Sequence, residues 1–253
     1  MFLKNAIQKT ARSFGVEITR YPRPLPHLHD TKIARHWAQQ LLSGGPVRVI
    51  FDIGANVGES VSAFRSSFSE SDVYAFEPSP ESFTKLQERM KNDPHVKPLK
   101  MAVGEHDGTA TLHQNSADDS NSMLPNSTRL YEFAPIEMCE PLRDIEVPIT
   151  RIDTFCANHG IRQIDLLKVD SQGFERQILA GAGSLLNPRF IRGLFLEVLF
   201  VDLWQGQSSA GEVMEKMRAN GYRLFGITNV SYDEANGWKW ADALFLDDKH
   251  KGR

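Results

Sequence analysis

Cysteine is scarce in this chain: Cys139 and Cys156 stand alone among 253 residues, and neither their number nor their spacing suits a disulfide framework or a zinc site. That scarcity fits a reducing compartment, so a cytoplasmic protein is expected. A basic surplus is also missing, since 29 Lys and Arg face 32 Asp and Glu for a net charge of −3. A protein that binds nucleic acid by neutralising phosphates carries an excess of cations, and nucleic acid is therefore not an expected partner. No run approaches the ~20 apolar residues that cross a bilayer, and the N-terminus lacks the compact apolar core of a secretory signal. What remains, 41% hydrophobic and 24% charged residues, is the composition of an ordinary globular chain, long enough to bury a sizeable core.

Charge is unevenly spread. Up to Arg35 the chain holds seven cations, Lys4, Lys9, Arg12, Arg20, Arg23, Lys32 and Arg35, against Glu17 and Asp30. Phe2, Leu3, Ala6, Ile7 and Phe14 are spaced to form one face of a basic amphipathic helix, which is expected ahead of the proline-rich turn Tyr21 to Pro26. Such a helix suits an anionic membrane surface, and it suits equally well its own domain or a second subunit. Residues 1–36 are read as an N-terminal arm, with peripheral contact of residues 1–24 to the inner face of a membrane as one expectation. Residues 37–253 are read as a single domain.

Within that domain strand and helix patterns alternate. Val47 to Ile53 reads as a buried strand, and Gly58 to Phe68 carries apolar residues at helical spacing. Asp72 to Phe76 is a second strand, Glu81 to Lys91 a helix, and Val96 to Val103 a third strand. Residues 114–142, including NSADDSNSMLPNS, break the rhythm with polar, turn-rich sequence, and are expected to form a lid-like insertion. Glu146 to Thr150, Ile164 to Val169, Phe190 to Phe200, Tyr222 to Ile227 and Ala243 to Leu246 read as further strands, with helices at Ile152 to His159, Glu175 to Ala180 and Ser209 to Asn220. Alternation of this kind argues for crossover units and a parallel sheet.

In such a sheet ligands bind beyond the carboxyl ends of the strands. The first strand ends in VIFDIGANVG, with Asp52, then Gly54 and Gly58 around Asn56; residues without Cβ permit a sharp turn and close approach of a ligand. The second ends at Glu77, whose carboxylate can accept from both hydroxyls of a ribose. Lys168 and Asp170 lie on one face of a later strand, and Glu197 stands near the end of the next. Bland readings exist for each: Asp52 holding the turn, Glu77 capping the next helix, Lys168 ion-paired, Asp170 and Glu197 merely its partners. The glycine spacing G-x-x-x-G, preceded by an acid, departs from the G-x-G-x-x-G of dinucleotide sites. It disfavours pyrophosphate, and hence a nicotinamide oxidoreductase, and suits a cationic ligand such as S-adenosylmethionine.

Taken in order, FDIGANVGES, AFEPSPESF, MAVGEHDG, VPITRIDTF, IDLLKVDSQGFERQILAGAGSLL and DALFL resemble the FkbM family of S-adenosylmethionine-dependent methyltransferases over roughly residues 47–247. The resemblance implies the α/β class I methyltransferase (Rossmann-like) fold, a three-layer sandwich with a seven-stranded, mostly parallel sheet and an antiparallel last strand, and O-methylation of hydroxyls on sugars or polyketides. It implies S-adenosyl-L-methionine as cofactor, with Asp52, Gly54, Ala55, Asn56 and Gly58 at the methionyl end, Glu77 on the ribose, Ala102 and Val103 beside the adenine, and Asp170 beside the transferring methyl. Met101 and Gln172 depart from the Asn and Glu that members often carry. Asp170, Glu197 and Lys168 are the candidates for handling the acceptor proton, and no ligand cluster demands a metal. After the fourth strand stands VDSQGF rather than an Asp-Pro-Pro-Tyr segment, which disfavours a nucleic-acid methyltransferase. A glycan or small-molecule acceptor is expected, with Trp204, Trp238 and Trp240 as platforms for a sugar ring. A non-catalytic binding protein on the same fold remains the alternative from a different class.

Overall fold

The computed structural model describes residues 45–235 and 237–247; the amphipathic helix and membrane contact expected of residues 1–24 lie outside the described residues. Among the described residues no helix is long and apolar enough to cross a membrane. The chain runs β1 (Val49–Ile53), α1 (Glu59–Ser67), β2 (Asp72–Phe76), α2 (Pro80–Met90), β3 (Val96–Leu99), β4 (Ala102–Val103), β5 (Gly108–Asn115), α3 (Leu130–Phe133), α4 (Ile136–Cys139), β6 (Pro141–Thr150) and α5 (Ile152–His159). It continues with β7 (Leu166–Val169), α6 (Glu175–Gly181), β8 (Gly193–Leu199), α7 (Ala210–Ala219), β9 (Tyr222–Asp233) and β10 (Gly237–Asp247). Local sequence explains several boundaries. Pro80 opens α2, where its missing N–H is not needed, and Ser209 with Glu212 forms a capping box at α7.

Seven strands form one sheet in the order β3-β2-β1-β7-β8-β10-β9. β1 is parallel to β2 and β7, β7 is parallel to β8, and β10 runs antiparallel to both β8 and β9. Period-two alternation sends successive strand residues to opposite faces. Ile50, Val73, Ala75, Leu166 and Phe195 pack with Val61 and Phe64 of α1 and Leu86 and Met90 of α2. Phe51, Phe76, Leu167 and Leu196 pack the other way, with Phe155, Ile178, Val213 and Met217 from α5, α6 and α7. Helices on both faces of a mostly parallel sheet give the expected three-layer α/β fold.

Two expectations need correction. The segment Val96 to Val103 is not one strand: it breaks after Leu99, and Ala102–Val103 joins a second, three-stranded sheet in the order β4-β6-β5. Glu146 to Thr150 is the end of the ten-residue β6, which pairs with β5 and β4 rather than with the main sheet. Inside the polar insertion, a 3₁₀ turn at Asp118–Ser120 and the helices α3 and α4 are tied together by Asn115 to Ser120 O (2.6 Å) and by Asn126 to Cys139 O (2.9 Å). Leu130, Phe133, Cys139, Leu199, Leu203 and Trp204 give this region a small apolar core.

Candidate functional site

The turn after β1 is held by its neighbours on both sides. The N–H groups of Gly54 and Ala55 both donate to Phe76 O at 3.0 Å, and Asp170 N donates to Ile53 O at 3.1 Å. Gly54 has φ +75°, and a Cβ there would stand 1.8 Å from the carbonyl oxygen of Asp170. Gly58, at φ +85°, begins α1, and a Cβ would stand 2.8 Å from Leu86 Cδ1. At both glycines the place of a Cβ is thus taken by the protein itself, a carbonyl in one case and the Leu86 side chain of α2 in the other. Asn56 adopts φ +45°, and its Oδ1 is buried without a hydrogen-bond partner.

Asp52 is fully buried and accepts from Ser60 Oγ at 2.5 Å. Lys168 Nζ donates to Gly54 O at 2.9 Å and lies 3.2 Å from Asp52 and 3.6 Å from Asp170. An ammonium has three protons, and three partners surround this one. Burial works against its charge, but the charges of Asp52 and Asp170 more than offset burial and keep it protonated. Glu77 is also buried, and accepts from Asn56 N and Ser79 N, both at 2.8 Å. It therefore ties the turn after β1 to the loop that leads into α2. Each of its oxygens still has acceptor capacity, since one N–H uses one lone pair. Burial pushes the Glu77 carboxyl up to about 7 in spite of those two bonds.

Two cavities meet at these strand ends. The larger, about 450 Å³, is lined on the sheet side by Gly54, Asn56, Glu77, Ala102, Val103, Asp170 and Glu197, with an apolar strip of Phe76, Met101, Leu112, Phe174 and Ile178. The smaller, about 340 Å³, is lined by Gly54 to Val57, Glu59, Ser60, Lys168, Asp170, Asn229 and Asp242. Gly54, Asn56 and Asp170 face both. Among the predicted residues Ala55 and Lys168 thus face the smaller cavity, Glu77, Ala102, Val103 and Glu197 the larger, and Asp52 and Gly58 line neither.

The far wall of the larger cavity comes from the insertion, including Asp118 to Met123, Phe133 to Pro135, Met138 and Cys139. It is tied to the sheet side by Ser122 Oγ donating to Gln172 O at 2.7 Å. Trp204 and Trp240 line the cavity, although Trp204 is packed among Leu130, Phe133 and Leu203. Trp238 does not line it; its ring meets Phe200 edge-on at 5.3 Å.

Sequence reasoning missed two acids. Val169 pairs with Leu196, so Asp170 and Glu197 follow side by side, and Glu197 directly opposes Asp242 across β8 and β10. Asp242 is bonded by Asn229 Nδ2 at 2.5 Å. Glu175 accepts from Ser171 N (3.0 Å), Ser171 Oγ (2.9 Å) and Gly173 N (3.3 Å), fixing the loop after β7. Burial pushes Asp242 and Glu175 each up to about 7, and pushes Glu197 well above the carboxylate range with help from Asp170, Glu175 and Asp242. The available signal for Asp242 was the one that singled out Lys168, a charged residue heading or interrupting an apolar strand.

Comparison with known proteins completes the picture. The profile of the methyltransferase FkbM domain matches residues 52–224. The chain is 28% identical over 170 residues to 2-O-methyltransferase NoeI of Sinorhizobium fredii (strain NBRC 101917 / NGR234), covering 64% of this chain and 68% of that protein. It is 28% identical over 198 residues to 31-O-demethyl-FK506 methyltransferase FkbM of Streptomyces tacrolimicus, covering 71% and 74%. The crystal structure of methyltransferase FkbM from Methylobacillus flagellatus KT is similar with a TM-score of 0.50 at 14% identity, over 79% of this chain. This chain spans 43% of that one.

Proposed function

The chain belongs to the FkbM methyltransferase family, and on that premise we propose that it transfers a methyl group from S-adenosylmethionine to a hydroxyl oxygen on a sugar, glycan, glycolipid or natural product. One observation carries the donor assignment. Along a single cleft stand a carboxylate with spare acceptor capacity, Glu77, an unpartnered amide oxygen, Asn56 Oδ1, and an apolar strip. Those are the groups that a ribose, an ammonium and a purine ask for. Glu77 would hold the ribose, Ala102 and Val103 would border the adenine, and Gly54, Ala55 and Asn56 would form the methionyl end on a turn supported from behind by Asp52 and Gly58, with Asp170 beside the methyl. When bound, this cofactor supplies a methyl group on a positively charged sulfur, already activated for displacement.

What the protein then contributes is alignment, exclusion of water and acceptance of one proton. Asp170 and Glu197 line the cleft at the strand ends and would take the proton of an acceptor hydroxyl. Lys168 is absorbed by Gly54 O, Asp52 and Asp170, which makes it a holder of the turn rather than a partner of the acceptor oxygen. The O-methyl products named for the two curated relatives favour a hydroxyl acceptor. The test is calorimetry with S-adenosylmethionine on the wild type and on Glu77→Ala, followed by incubation of methyl-labelled cofactor with glycans, glycolipids and hydroxylated metabolites and mass spectrometry of what gains a methyl. Binding that falls tenfold or more in the variant and an O-methylated product are expected. Binding of a nicotinamide dinucleotide in preference to S-adenosylmethionine would overturn the reading.

A further inference from the structure

The strand ends carry more buried acid than methyl transfer from the cleft alone accounts for. Glu197 and Asp242 are directly opposed across an antiparallel pair, a relation that places Cβ atoms about 4.5–5.5 Å apart on one face of the sheet. Yet they open into different spaces: Glu197 lines the larger cleft, Asp242 the smaller cavity. Glu197 is 8% exposed, and its Oε2 has no hydrogen-bond partner. The charged groups that act on it are Lys168 of β7, Asp170 just after that strand, Glu175 of α6 and Asp242 of β10. Lys168, the cation among them, is engaged elsewhere. Glu197 is buried and its direct cross-strand neighbour Asp242 is half-buried; two such carboxylates with no cation of their own cannot both ionise at low cost.

We propose that Glu197 and Asp242 share one proton and pass the proton released by the acceptor hydroxyl out of the cleft into the smaller cavity. Glu197 touches the acceptor, and Asp242 is a positioning residue that acts through it. The balance is complete. As the acceptor oxygen forms its bond to the methyl carbon, the carbon–sulfur bond breaks and its electron pair stays on sulfur; the acceptor O–H proton moves to the pair, which becomes doubly protonated, and one proton then leaves from Asp242 to water. The smaller cavity suits that exit, since Asn229 and Asp242 line it together with Glu59, which is exposed. The two carboxyls titrate as a unit rather than as separate sites.

The proposal rests on the methyl-transfer reading, and the experiment separates the two. In protein labelled with ¹³C at the Asp and Glu carboxyls, the Glu197 resonance, assigned with Glu197→Gln, is followed against pH in the wild type and in Asp242→Asn. Titration in two steps in the wild type and one displaced step in the variant are expected; identical titration in both overturns the shared proton. Turnover then tests the relay. Asp242→Asn should lower kcat tenfold or more and move its pH profile, with S-adenosylmethionine affinity and acceptor KM unchanged, and Asp242→Glu should restore most of the rate. Wild-type kcat and pH profile in folded Asp242→Asn overturn the relay. Coupled titration in a wild type that binds no S-adenosylmethionine overturns the methyl-transfer reading, not the shared proton.

Discussion

Gly54→Ala separates two explanations of the same glycine. If Gly54 exists to admit a ligand, alanine there weakens binding and leaves stability alone; if it exists to admit Asp170, alanine unfolds the protein more easily. The geometry favours the second. Left-handed backbone costs a residue with a Cβ about 1 kcal/mol or more, and the new methyl would lie 1.8 Å from a backbone oxygen that cannot rotate away. Relief requires the turn and the end of β7 to part by about 1 Å or more, which costs roughly 1–3 kcal/mol as overpacking. That movement pulls on Asp170 N to Ile53 O and Gly54 N to Phe76 O, each worth about 1 kcal/mol net. The sum is about 4–6 kcal/mol, and at about 2–4 °C per kcal/mol for a domain of this size the Tm should fall by roughly 10–20 °C. Gly58→Ala shares the backbone term, but its obstacle is the end of the Leu86 side chain, so about 1–2 kcal/mol is expected. Thermal and urea unfolding of the two variants, compared with the wild type, test this. A Gly54→Ala protein with wild-type Tm, or one more stable than Gly58→Ala, would refute the packing argument.

Stability should fall between about pH 4.5 and 7. The carboxyls of Glu77, Glu175 and Asp242 are each raised to about 7 in the folded state, so the native protein binds protons more tightly than the unfolded chain and loses stability as they are drawn off. Acids held low, such as Asp72 and Asp93, act below that window, and a Tm that rises from pH 5 to 8 at constant ionic strength would contradict the assignment. Lys168→Met removes the cation from a buried site and leaves Asp52 uncompensated, which should cost about 3–5 kcal/mol; a variant whose urea midpoint is unchanged would mean that the lysine does not hold the turn.

Much of the site was readable because it is local. VIFDIGANVG and AFEP carry strand, turn and acid within ten residues, and parallel pairing of β1 with β2 brings Asp52, Asn56 and Glu77 together without further information. The break after Leu99 was not readable, since Val96 to Val103 shows one apolar pattern while its two halves belong to different sheets. Asp242 was missed because its importance lies in facing Glu197, a residue 45 positions earlier, across an antiparallel pair that no local pattern specifies. The hairpin of β9 and β10 was read too short, although Asn236 and Gly237 form a sequence signal for a tight connection. Gly54 and Gly58 were read as room for a ligand, and the structure adds a packing reason that no local pattern carries, the nearness of Asp170 O and of Leu86.

The two sides of the cleft come from separate stretches of the chain. One side is assembled from the ends of β1, β2, β7 and β8, whose spacing is dictated by the sheet; the other hangs between β5 and β6 and packs Leu130, Phe133 and Cys139 against Leu199, Leu203 and Trp204 at the end of β8 and beyond it. Chain exchanged between residues 116 and 140 would therefore remodel one wall, and it would have to keep the two anchors to the other, Ser122 on Gln172 O and the apolar contact with Leu199 and Leu203, so a scaffold of this kind can be refitted to a new molecule only between those fixed points.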